Sequence, residues 1–100
     1  MGLESELRKE IKKWTERIEK ELEKVKTEDK RFLANIRAYV KDSKYFLEKN
    51  DLIRSFEAII WAWAWLEIGR EVGVVKNAPG QGMKSVNVPS LSKASGKSYL

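Results

Sequence analysis

Six acids between residues 42 and 71, Asp42, Glu48, Asp51, Glu57, Glu67 and Glu71, are the candidates for acid or base work, because the commoner instruments are missing. The 100 residues include no cysteine and no histidine. The thiolate nucleophile, the imidazole base, most zinc ligand sets and the Ser-His-Asp and Cys-His arrangements are thereby excluded. What remains is carboxylate, lysine or tyrosine chemistry. Glu67 and Glu71 stand one helical turn apart and could share a site with Tyr39 or Arg70 for proton transfer, or hold a divalent cation with water. Acids four residues apart on a helix ordinarily face solvent, however, and Asp51 sits where a helix needs a cap. The chain is therefore expected to be non-catalytic, with no metal, cofactor or small-molecule substrate.

Phosphate chemistry has as little to stand on. "PGQG" follows no strand and precedes no Gly-Lys-Ser/Thr, and "GKSYL" lacks the first glycine of a phosphate loop and any helix after it. The net charge of +5 suggests nucleic acid until it is divided by region. Residues 1–73 carry 16 Lys or Arg against 15 Asp or Glu, whereas residues 74–100 carry four Lys and no acid. The excess is in the tail, where Lys76, Lys84, Lys93 and Lys97 could neutralise about four phosphates with salt-sensitive, sequence-independent affinity. The sequence is rich in Glu and Lys, a bias reported for proteins from very hot environments.

The other chemistry-bearing feature is aromatic. "AIIWAWAWLEIGREVG", residues 58–73, sets Trp61, Trp63 and Trp65 at alternate positions inside a helical pattern. Residues at i, i+2 and i+4 do not share a helix face, so the three rings cannot enter one core together. On a helical wheel Leu52, Phe56, Ile59, Trp63 and Leu66 form the principal apolar face, expected to meet the preceding helix. A second stripe, Trp61, Trp65, Ile68 and Val72, lies nearly opposite, with Ile53, Ile60 and Ala64 between. A helix apolar almost all round should be sandwiched.

Three elements must position these residues. Leu3, Leu7, Ile11, Trp14, Ile18, Leu22 and Val25 recur at heptad spacing among charges, predicting a long charged first helix with one narrow seam. The seam breaks at "KTEDKRF", where Thr27 or Asp29 can cap a second helix whose face is Phe32, Leu33, Ile36, Tyr39, Val40, Ser43, Phe46 and Leu47. "EKND" ends it, with Asn50 suited to a left-handed position and Asp51 to the next cap, so the second and third helices form an antiparallel hairpin. Gly73 stops the third helix. Both prolines and Gly80, Gly82 and Gly96 follow, so an irregular basic tail, flexible or extended, is expected from about residue 76. The fold expected is all-α, a three-helix up-down-up bundle over residues 1–75 with a tail over 76–100. The longest uncharged apolar run, Ala58 to Leu66, is about half of the roughly 20 residues a membrane span needs, and "MGLESELRKE" has no secretory h-region, so the expected location is the cytoplasm.

The hairpin sequence "YVKDSKYFLEKNDLIRSFEAIIWAWAWLEIGREVG" resembles an archaeal family of unknown function, domain-of-unknown-function family 357. The resemblance is carried by Tyr39, Asp42, Tyr45, Phe46, Leu47, Asp51, Phe56, Glu57, Ala58, Ala62, Trp65, Leu66, Gly69 and Gly73. Ser43 and Ser55 stand where that pattern has Ala, Asn50 where it has Gly, and Glu67 where it has Asp. The resemblance implies an all-helical archaeal protein and transfers no activity or functional residue.

Function then rests on the surplus stripe. One charged helix covers one groove of a helical hairpin, so part of Trp61, Trp65, Ile68 and Val72 should be left over for a partner. The leading expectation is a protein-interaction or assembly module that binds itself, as a homodimer, or another protein. The alternatives are an RNA- or ribosome-associated accessory protein anchored by the lysine tail, and an ordinary monomer in which Val74, Val75, Val86 or Val88 covers the stripe.

Overall fold

The structure, a computed structural model, describes residues 2–77. It is an all-α bundle of α1 (Leu3–Lys24), α2 (Lys30–Glu48) and α3 (Leu52–Val72). One short antiparallel ladder joins β1 (Val25–Lys26) to β2 (Lys76–Asn77). Lys76 and Asn77, where the flexible or extended tail is expected to begin, are extended and pair with Lys26 and Val25. The rest of the expected tail, with Val86 and Val88, lies outside the described residues.

The boundaries follow from local chemistry. Asp29 caps α2, its carboxylate accepting from the Phe32 N–H at 2.9 Å, and Asp51 caps α3 by accepting from the Arg54 N–H at 3.2 Å. Between them Asn50 takes φ 63°, the left-handed region that asparagine tolerates, so the hairpin needs no glycine at its turn. Gly73, at φ 83°, ends α3 and turns the chain so that the N–H groups of Val74 and Val75 both return to the Gly69 carbonyl. The turn delivers Val75 into the core, and the Thr27 hydroxyl donates to the Val74 carbonyl at 2.7 Å to hold it there.

The core collects Trp14, Ile18 and Leu22 from α1, Ile36 and Val40 from α2, and Ile59, Trp63 and Leu66 from α3. The helices run up, down, up: Arg8 near the start of α1 bonds Asn50 at the α2–α3 turn, while Val25 at its end pairs with Asn77 beyond α3. α3 is the centre, packed closely on α2 and against α1, whereas α1 and α2 scarcely meet. Two expectations about α3 change. The small residues Ser55 and Gly69 meet α2 at Ser43 and Phe32, which lets the backbones approach, while the bulky Trp63 turns to α1. The approach is close enough that Ser43 and Ser55 exchange hydrogen bonds, each hydroxyl donating to the other's carbonyl at 2.8 and 2.7 Å. Nor is α3 enclosed on all sides, because α1 and α2 cover adjacent flanks and leave one face outward. Among the described residues no helix is long and apolar enough to cross a membrane.

Candidate functional site

The three tryptophans of α3 meet three environments. Trp63 is 1% exposed, its Nε1–H donates to the Trp14 carbonyl at 3.1 Å, and its ring meets that of Trp14 edge-on at 5.7 Å. Trp14 is braced in turn, its Nε1–H donating to Glu10 at 2.9 Å and its ring lying under Lys13 and Arg17. Trp65 leans to the α2 side, edge-on to Phe32 at 5.9 Å. Its Nε1 is buried, and no hydrogen-bond acceptor among the described residues reaches it. Trp61 remains 50% exposed, with one face of its ring stacked on Tyr39 at 6.4 Å and 22° between planes.

The outward face is therefore Trp61 with Ile68, 43% exposed, and Val72, 65% exposed. Ile53, 68% exposed, extends it toward the hairpin turn, and the partly buried Ile60 and Ala64 fill the space between. Of the four residues singled out in the sequence, the structure gathers Trp61, Ile68 and Val72 on this surface and sets Trp65 against Phe32 instead. Tyr39 is the contributor that sequence reasoning passed over. It lies on the core-facing arc of α2, and only the crossing of α2 over α3 shows that its ring flanks Trp61. Val75, proposed as a cover, goes into the core beside Gly69 and leaves Ile68 and Val72 open.

Charge borders the apolar strip. Glu57 and Glu71 are exposed on it, and Arg54 at its start lies against Asp51 at 3.0 Å. Glu67, on the flank toward α1, is partly buried. That burial pushes its carboxyl above the ordinary carboxylate range, with Glu71 adding to the shift and Arg70 opposing it. Of the grouping considered for proton transfer, Arg70 also reaches Glu21 of α1, and Tyr39 is engaged with Trp61. Among the described residues no three His, Cys, Asp or Glu side chains gather as metal ligands would. Of the tail lysines, Lys76 is exposed on β2, and Lys84, Lys93 and Lys97 lie outside the described residues.

Comparison with known proteins extends the hairpin resemblance across the bundle. A family model described as a protein of unknown function (DUF357) matches residues 4–75, taking in α1 as well as the hairpin. The crystal structure of a DUF357 protein from Archaeoglobus fulgidus superposes with a TM-score of 0.73 at 55% sequence identity, covering 77% of this chain and 100% of that one. No curated protein matches.

Proposed function

Since the chain belongs to the DUF357 family of proteins of unknown function, we propose its role from its own surface: a non-catalytic protein-interaction or assembly module that docks through the outward face of α3. The observation that supports this is the set Trp61, Ile68, Val72 and Ile53, all large, apolar and exposed on one helix. Contiguous apolar patches are uncommon on soluble monomers and mark interaction sites where they occur. Tryptophan is enriched among residues that dominate binding energy. Trp61 has the form of such an anchor, since Tyr39 fixes one ring face and leaves the other open. A rigid ring loses little freedom on docking, so more of its burial appears as affinity. The partner is a second copy of the chain, for which a two-fold interface would use this face twice, or another protein.

Light scattering on the full-length chain across a concentration series tests self-association, and the variant Trp61→Ala tests the surface. A mass that rises with concentration in the wild type and stays monomeric in the variant supports the reading. A chain that is monomeric throughout, and whose variant retains the same partners from cell extract as the wild type, overturns it.

A further inference from the structure

Basic side chains gather at the corner where the α1–α2 connection meets β2. A shallow groove of about 440 Å³ opens there. Its floor is apolar, formed by Val25, Leu33 and Ala34, and its rim carries Lys26, Lys30 and Arg37. No acid lines it, and the Thr27 hydroxyl at its edge is engaged, accepting from the Asp29 N–H and donating to the Val74 carbonyl.

Two placements at this corner gather cations. The ladder sets Lys26 directly opposite Lys76, and like charges facing one another across a strand pair are destabilising. The first turn of α2 contains Lys30 and Arg31 and no acid, so cations stand at the positive end of the helix dipole. The acids of the connection are Glu28 and Asp29, and the Asp29 carboxylate is committed to the Phe32 N–H. Lys26, Lys30, Arg37 and Lys76, like most cations of the described residues, form no salt bridge there. An anion seated here would offset both.

We propose that this groove binds the phosphodiester backbone of a nucleic acid. The sequence beyond the groove favours a long polyanion over a single phosphate, because Lys76 opens a run to the C-terminus that holds Lys84, Lys93 and Lys97 and no acid after Glu71. The absence of an aromatic from the groove lining argues for backbone contact without base stacking, hence for binding indifferent to sequence. The site differs from a lysine tail acting alone in that its cations are held on α2 and on a strand pair of the folded body. It also lies on a different surface from the outward face of α3, so the two proposals stand or fall separately.

The test is fluorescence anisotropy of a labelled 20-nucleotide single strand and a 20-base-pair duplex against the full-length chain over a salt series. Two full-length variants accompany it, the groove triple Lys26→Gln, Lys30→Gln, Arg37→Gln and the tail triple Lys84→Gln, Lys93→Gln, Lys97→Gln. The groove substitutions are at exposed positions, and circular dichroism verifies that each variant folds. The log-log salt slope of the wild type should be lowered in magnitude by about two to three in the groove triple, as expected for three lost phosphate contacts. A groove triple that retains the wild-type affinity and slope overturns the site, whatever the tail triple does. Polyglutamate of matched length binding as tightly as either nucleic acid at the same salt overturns the assignment of the ligand to nucleic acid.

Discussion

Trp63 and Trp61 stand two residues apart on one helix, yet the first is 1% exposed and the second 50%. Sequence composition treats them alike. The difference comes from what the bundle brings beside each: α1 supplies a ring and a carbonyl to Trp63, while α2 supplies one flat ring to one face of Trp61. An inner face satisfied in both packing and hydrogen bonding has become core. An outer face satisfied on one side stays open on the other. On a helix that is apolar all round, burial is thus assigned by the neighbours and not by the residue type.

The largest expected effect separates the two faces directly. Trp63→Ala should lower unfolding free energy by about 3–5 kcal/mol, the usual result of emptying an aromatic site in a core. Trp61→Ala should change it by less than about 1 kcal/mol, as for a surface substitution, while abolishing any association through α3. Denaturant titration of both variants measures the contrast, and equal losses would show that Trp61 is a core residue after all.

Next in size is the close approach of α2 to the inner face. A Cβ at Gly69 would lie 2.6 Å from the Phe32 ring and 2.9 Å from Val75, so Gly69→Ala should cost about 1–3 kcal/mol by forcing both aside. Gly73 provides the control. A Cβ there meets nothing within 4 Å, and the cost of Gly73→Ala, about 1–2 kcal/mol, comes from its left-handed φ alone. Phe32→Leu, made together with Gly69→Ala, should recover part of the first loss and none of the second. Recovery in both would mean that crowding is not what demands glycine at position 69.

The serine clasp is a subtler probe of the same face. Ser43→Ala or Ser55→Ala alone removes one buried hydrogen bond, worth about 0.5–1.5 kcal/mol. The double variant should lose less than the sum, because the two hydroxyls also lie 3.1 Å apart and either single variant already ends that contact. A thermodynamic cycle by thermal or chemical melting measures the coupling, and strict additivity would mean that the two hydroxyls act independently.

That clasp also shows where reading the sequence stopped. The caps at Asp29 and Asp51, the turn at Asn50 and the stop at Gly73 were legible because each acts on backbone within three or four residues of itself. The heptad seam of α1 was legible for the same reason of periodicity, although Leu3 at its start is exposed because nothing in the bundle reaches that far. Ser43 and Ser55 looked like two unrelated departures from a family pattern, and they are one contact across 12 residues. The tilt of Trp65 onto Phe32, the turning of Trp63 to α1 and the return of Val75 under Gly69 likewise depend on how helices cross, which a wheel drawn for one helix does not contain. Of the four residues named for the candidate face, Trp61, Ile68 and Val72 are exposed and Trp65 leans onto Phe32.

Glu67 sits at the border between the two faces, and its titration reports which way the border leans. Its carboxyl is held above the ordinary range chiefly by partial burial, with Glu71 adding to the shift and Arg70, itself turned to Glu21, opposing it. An acid whose folded pKa exceeds its unfolded value binds more protons in the folded state over the interval between the two, so stability falls as pH rises through that interval. Above it the buried charge is a constant penalty, and below it the penalty is gone. Glu67→Gln should therefore melt slightly above the wild type at neutral pH, with the gap closing as the pH is lowered into the carboxylate range. Glu10 should behave in the opposite sense. Its hydrogen bond from Trp14, together with that from Lys13, holds its carboxyl below the ordinary range, so its contribution is present above the ordinary value and lost as pH falls through the depressed one. If α3 docks a second chain, water leaves the flank of Glu67, its proton is held more firmly still, and association should strengthen as pH falls toward the raised value. Light scattering of wild type and Glu67→Gln at two pH values reads this out: a pH-dependent mass in the first and a constant one in the second place Glu67 at the rim of the contact, while the same pH response in both would put the contact elsewhere.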